Sequence, residues 1–160
     1  MRSRFFLVVA SLLALTLLPA APAVAQLAQT TTLTLEAAKR MMEAAEAEAA
    51  RNGWTVAIAI VDAGGDLVML HRRDGTQLAS IEIARGKART AVRFKRPTKA
   101  LEDAVNGGRT VLVALGEITP LEGGIPIEVD GQVIGGIGVS GVMSSQDALV
   151  AQAGLAALRP

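Results

Sequence analysis

Short apolar runs bounded by turn residues occur five times along the chain, and apolar positions at helical spacing occur four times. Leu35, Ala38, Met41, Met42, Ala45 and Ala49 share one face of a helix from Leu35 to about Asn52. Thr34 is its cap and Asn52-Gly53 its stop. Trp54–Val61 and Leu67–Arg72 read as a hairpin across Asp62-Ala63-Gly64-Gly65-Asp66. Val56, Ile58 and Ile60 lie on one face; Ala57, Ala59 and Val61 lie on the other. In the returning strand, Leu67, Met69 and His71 point one way, and Val68 and Leu70 the other. A second helix opens near Ser80 and runs to about Phe94, with Ile81, Ala84, Ala88, Ala91 and Val92 as its apolar stripe. Thr98 caps a short helix through Val105, and Thr110–Leu115 is expected as a third strand.

The strongest pattern is Leu121–Gly141. Gly124–Val129 and Gln132–Val139 form a hairpin across Asp130-Gly131, two residues that tolerate the positive φ such a turn requires. Pro126 lacks a ladder donor, which places its strand at a sheet edge. Gly135, Gly136 and Gly138 interrupt the second strand, where glycine marks a bulge or the close approach of a backbone or ligand. The chain then enters a last helix, capped by Ser144 or Ser145 and running to about Leu158. Two uses of the glycines stay open: tight packing of the hairpin, or a pocket lip for an acidic ligand group. The second makes Glu122, Gly123, Gly124, Gly138, Ser140 and Gly141 the pocket residues. Tight hairpins favour an antiparallel α+β sheet over a parallel nucleotide-binding one, and neither a GxGxxG after a strand nor a Walker sequence occurs.

Composition changes the picture at the N-terminus. Arg2 and Arg4, the apolar run Phe5–Leu18 and Ala23-Val24-Ala25 read as a cleaved secretory signal peptide over residues 1–25, with an uncleaved anchor as the alternative and Gln26–Thr32 as a linker. The expected location is therefore the periplasm or the exterior, free of the membrane once the signal is cleaved. The sequence holds 16 Lys+Arg against 15 Asp+Glu, and loss of Arg2 and Arg4 leaves 14 against 15. Such a balance gives no field for nucleic acid. There is no cysteine, so disulfides and thiolate metal sites are excluded, and an exported domain must lean on its core or on self-association. His71 is the only histidine. It reads either as a strand-end residue or as a metal ligand, imidazole being the commonest side chain in that role. Arg85, Lys87, Arg89, Arg93, Lys95 and Arg96 make the second helix basic toward its end, which suits the helix dipole or the pairing of ligand carboxylates.

Five motifs in order carry a family resemblance: VAIAIVDAGGDLVMLHRRDG at Val56–Gly75, IARGKARTA at Ile83–Ala91, RPT at Arg96–Thr98, EGGIPIEVDGQVIGGIGVSG at Glu122–Gly141 and SSQDALVAQAG at Ser144–Gly154. Residues 33–158 resemble the GlcG/HbpS family of haem-binding proteins, also called haem-degrading domains, related to the C-terminal domain of some corrinoid adenosyltransferases. Residues 33–160 are thereby one GlcG/HbpS-like domain. The resemblance implies a profilin-like sandwich, with a central five-stranded antiparallel sheet and helices on both faces. It also implies homo-oligomers and a haem cofactor, used in binding, storage or sensing. The alternatives are a small organic acid-binding or accessory protein of glycolate-type metabolism, or a haem-degrading enzyme. Some relatives carry haem-ligating histidines near the start of the first helix, but Leu33–Arg40 holds none. His71 is then the candidate iron ligand, with Met69, Arg72 and Arg96 as further haem-binding residues. One histidine cannot make a bis-histidine site within one protomer.

Overall fold

The structure is a computed structural model that describes residues 30–158; the expected signal peptide lies outside them. The element order is α1 (Leu35–Arg51), β1 (Ala57–Asp62), β2 (Leu67–Arg72), α2 (Ser80–Phe94), α3 (Lys99–Asn106), a 3-10 helix (Thr110–Leu115), β3 (Gly124–Val129), β4 (Gln132–Ser140) and α4 (Ser144–Ala156). The four strands form one antiparallel sheet in the order β2-β1-β4-β3. β1 is central, pairing Ile58 with His71 on one side and with Val139 on the other.

The alternation within β1 assigns the two faces. Val56, Ile58 and Ile60 join Ile127, Ile137 and Val139 in a core roofed by α1 and α4, through Met41, Met42, Ala45, Val150 and Ala151. Ile58, Ile60, Ile127 and Ile137 are fully buried there. Each contributes about 1.5–3 kcal/mol by leaving water. The opposite face is thin: Ala57, Ala59 and Val61 meet Ala84, Ala88 and Val92 of α2. That thinness lets α2 lie almost on the backbone of β4. A Cβ at Gly138 would run into the Ala84 carbonyl and stand 2.5 Å from Ala88 N.

Local chemistry explains the ends. Thr34 Oγ1 accepts from Ala37 N at 3.2 Å, capping α1 as its sequence predicts. Asp130 and Gly131 take φ of 49° and 75°, the paired positive values of a two-residue hairpin turn. The last helix begins otherwise than expected: Met143 is the N-cap, Ser144 is already helical, and Met143 N donates to Gln146 Oε1 at 3.2 Å.

The sheet has four strands rather than the expected five. Thr110–Leu115 is a 3-10 helix, although Thr-Val-Leu-Val-Ala-Leu has the β-branched composition of a strand. A strand gains its stability from a ladder partner, and this segment pairs with none of the described strands. It packs instead beside α3, burying Leu112 and leaving Val111, Val113 and Leu115 exposed.

Candidate functional site

Chemistry collects at the two opposite edges of the sheet. At the β2 edge, His71 projects to the α1 face, where Nδ1 lies 3.0 Å from Glu46 Oε1. A carboxylate accepts and cannot donate, so Nδ1 carries a proton, and in the neutral ring Nε2 is the nitrogen with the lone pair. The His71 side chain is 47% exposed, enough for a ligand to reach that nitrogen. Arg73 Nη1 donates to the Glu46 carbonyl at 3.5 Å, tying the end of the strand to the same turn of α1.

Met69 shares that face two residues away, but it packs against the main core and is half-buried. Arg72 is exposed at the end of β2, on the alternate face. Arg96 is also exposed, with Nε donating to the Phe94 carbonyl. It precedes Thr98, whose backbone N–H donates to Gly124 O at the start of β3. Arg96 therefore belongs to the far edge, and the structure does not bring it to His71.

At the β3 edge, Pro97 and the end of α4 border two adjoining grooves of about 530 Å³ and about 300 Å³. The larger is lined by Ile125, Ile127, Val129, Leu155 and Leu158, with Glu128 and Asp130 as its charged residues. The smaller adds Lys99, Glu122, Gly123, Gly124 and Gln152. Thr98 fastens this wall: its hydroxyl donates to Leu121 O at 2.6 Å and accepts from Gly124 N at 2.9 Å. Lys99 is paired with Asp103, and that bond, with the nearby carboxylates Glu122 and Glu102, holds its ammonium above the ordinary lysine range.

Of the six expected pocket residues, Glu122, Gly123 and Gly124 line the smaller groove. The others lie elsewhere. Gly138 faces α2, Ser140 is buried with its hydroxyl 3.3 Å from that of Ser80, and Gly141 is pressed against the Thr55–Val56 backbone.

Beneath Gly123 lies an ion pair that the sequence reading passed over. Lys87 Nζ donates to Asp147 Oδ2 at 2.8 Å and to Val139 O at 2.9 Å, and both side chains are 2% exposed. Asp147 Oδ1 accepts from Val142 N at 3.3 Å. Burial pushes the Asp147 carboxyl up, and the hydrogen bond and charge of Lys87 pull it back only in part. Gly123, at φ +119°, closes over this pair. A Cβ there would stand 2.9 Å from Asp147 Cβ and 3.0 Å from Lys87 Nζ. The pair is sealed, so its work is to hold the groove wall. The signal for Lys87 was its place within the α2 stripe, three residues from Ala84 and beside Ala88. Glu46 left no signal, because nothing local says that α1 crosses β2 at His71.

Fold and edges define the class: an antiparallel α+β sheet domain with helices on both faces, one braced imidazole at one edge and an apolar groove at the other. A family model described as haem degrading protein HbpS-like matches residues 33–156. The chain belongs to this HbpS-like family. It is 45% identical over 108 residues to Protein GlcG of Escherichia coli (strain K12), covering 68% of this chain and 81% of that one. Among solved structures, a double mutant of HbpS from Streptomyces reticuli superposes with a TM-score of 0.80 at 35% identity, over 89% of this chain and 98% of the other. A PduOC–haem complex superposes at 0.75 with 32% identity, over 81% and 96%.

Proposed function

We propose that this protein is an exported, homo-oligomeric haem-binding protein, acting in haem binding, storage or sensing. One observation carries the reading: a relative solved as a haem complex shares this fold at 32% identity across nearly its whole length. The residues present fit the group. Haem, when bound, supplies an iron with open axial positions and two propionates. His71 offers a lone pair at Nε2 with the other ring nitrogen already satisfied by Glu46, the arrangement in which proteins commonly present histidine to a metal. Arg72, the next residue of β2, is exposed on the alternate face, so it can meet a propionate only around the strand edge. Met69 supplies packing rather than sulfur, since the core holds it. Aromatic contact is limited: Phe5 and Phe6 fall in the expected signal peptide, so the exported domain keeps only Trp54 and Phe94. Affinity then rests on aliphatic area and on the iron–imidazole bond.

A haem titration followed by the Soret band tests this reading. Saturable binding with a shifted band is expected, and no saturable spectrum would remove it. Product analysis of the bound haem separates carriage from degradation.

A second reading draws on the smaller groove, where Lys99 and Gln152 stand beside the Gly123–Gly124 backbone. A small organic acid would place its carboxylate near Lys99. Saturable protection of the Lys99 region by a 2-hydroxy acid, in protein that takes up no haem, would favour it.

A further inference from the structure

The basic stripe of α2 belongs to neither edge of the sheet. Arg85, Arg89 and Arg93 stand four residues apart on that helix, so their side chains line up along one face. They lie across the sheet from the α1 face that carries His71. Arg85 is answered locally, with Nη1 donating to both carboxylate oxygens of Glu82 at 3.1 Å. Arg89 and Arg93 instead share one carboxylate from a distant loop. Glu117 Oε2 lies 2.7 Å from Arg93 Nη1 and 3.8 Å from Arg89 Nη2. Two positive charges therefore face one negative charge, and at 3.8 Å Arg89 is beyond hydrogen-bond reach. Among the described residues Arg89 donates no hydrogen bond, although a guanidinium carries several N–H donors.

Glu117 is a weakly held occupant. It sits at φ 51°, a conformation disfavoured for residues with a Cβ, and its side chain is 70% exposed. An ion pair so open to water contributes little. The two arginines still hold its carboxyl below the usual carboxylate range, first through the hydrogen bond from Arg93. The loop does not need this contact to stay in place. Thr119 N donates to Thr90 Oγ1 at 2.9 Å, Thr119 Oγ1 fills the notch left by Gly86, and Gly123 closes over Lys87. All three partners are on α2, so the glutamate side chain can swing into solvent while the backbone beside it stays fastened. The stem of Arg89 is seated too: a Cβ at Gly65, in the β1–β2 turn, would stand 3.4 Å from its Cγ. Asp62 of that turn is engaged by backbone, its Oδ1 accepting from Gly64 N at 2.8 Å and Asp66 N at 3.0 Å.

We propose that Arg89 and Arg93 form a receptor for a small dicarboxylate, and that Glu117 is the chain's own carboxylate resting in it. A dianion supplies the second negative charge that Glu117 lacks, with one carboxylate for each guanidinium in the paired N–H···O geometry that arginine favours. Glu117 competes for the site and leaves when the ligand enters. The receptor shares no residue with the haem reading at His71, so haem uptake and dicarboxylate binding stand or fall separately.

Isothermal titration of the purified protein with malonate, at fixed ionic strength, tests the site. One saturable site per chain is expected. Arg89→Gln and Arg93→Gln should each weaken it by about 10-fold or more, the usual loss for a hydrogen bond to a charged group. Glu117→Gln should tighten it by about 2- to 5-fold, the release of one exposed ion pair. Arg85→Gln, which removes equal charge from the same helix, should leave the affinity nearly unchanged. All four side chains are partly exposed, so the melting temperatures of the variants should stay near that of the wild type. Absence of saturation in the wild type overturns the site. An equal loss in Arg85→Gln also overturns it, by reducing the effect to general attraction toward a basic helix. Unchanged or weaker binding in Glu117→Gln overturns the role of Glu117 as occupant. Tighter binding of inorganic phosphate than of malonate overturns the dicarboxylate as the ligand class.

Discussion

Lys87 Nζ donates to Asp147 Oδ2 at 2.8 Å, tying α2 on one face of the sheet to the first turn of α4 on the other. Both side chains are almost wholly out of water, so removing one strands the other. Asp147→Leu should cost about 3–5 kcal/mol, whereas the double replacement Lys87→Met with Asp147→Leu should recover most of it. Urea unfolding of the two single variants and the double variant checks this; additive losses would show that the pair is not coupled.

The same carboxyl gives a pH dependence with a defined sign. Its pKa is raised on folding, so Asp147 takes up a proton more readily in the fold than in the unfolded chain. Its contribution to stability is fully present below the unfolded value of about 3.9 and is lost as pH rises through the raised folded value. Asp147→Asn has no such titration. The stability of wild type minus that of Asp147→Asn should therefore fall as pH climbs through that window, and a rise would contradict the direction.

Gly138 tests how closely α2 approaches β4. Any side chain there meets the Ala84 carbonyl and Ala88 N. Gly138→Ala should destabilise by about 1–3 kcal/mol or more, as forced overpacking does. Gly131→Ala makes a useful contrast: its strain comes from a φ of 75° alone, with nothing within 4 Å of the added carbon. Thermal melts should rank Gly138→Ala as the worse.

Much of this architecture was readable from the chain. Period-two alternation in Val56–Val61 assigned both faces of the sheet, and Asp130-Gly131 announced the second hairpin. Thr110–Leu115 misled because strand propensity is a statement about side chains on a pleated surface, and no edge reaches this segment. The glycines of β4 were legible as a close approach, but not as an approach by α2, since the partner is fixed by tertiary packing. The candidate site was half legible. His71 stands out by being alone, while Glu46 lies 25 residues upstream and becomes its partner only when α1 folds over β2.

Export has its own measurement. Arg2, Arg4, Phe5–Leu18 and Ala23-Val24-Ala25 lead us to expect a mature chain that starts at Gln26. Mass spectrometry of exported protein should show loss of residues 1–25, and full-length chain retained in membranes would refute it.

Self-association is expected to use the apolar residues that this fold leaves outside. Val111, Val113 and Leu115 are 66%, 59% and 58% exposed along one short segment. Replacing Val111 and Val113 by Thr and Leu115 by Gln should lower the oligomer mass seen by light scattering at micromolar concentration without lowering helix content. A monomeric wild type would count against assembly of any kind.

The central position of β1 has a consequence for how the chain reaches this state. One side of β1 is covered at once by β2 through a hairpin, but the other waits for β4, with Ala57 paired to Ser140. More than half of the domain must be made before that ladder can close. Until then the N-terminal half can cover the alanine-lined face with α2 but still holds an open strand edge along β1. Long-range pairing of this kind makes acquisition of the native state slow, on the scale of about milliseconds to seconds. Under the export proposed above, that delay would favour crossing the membrane before the sheet has formed.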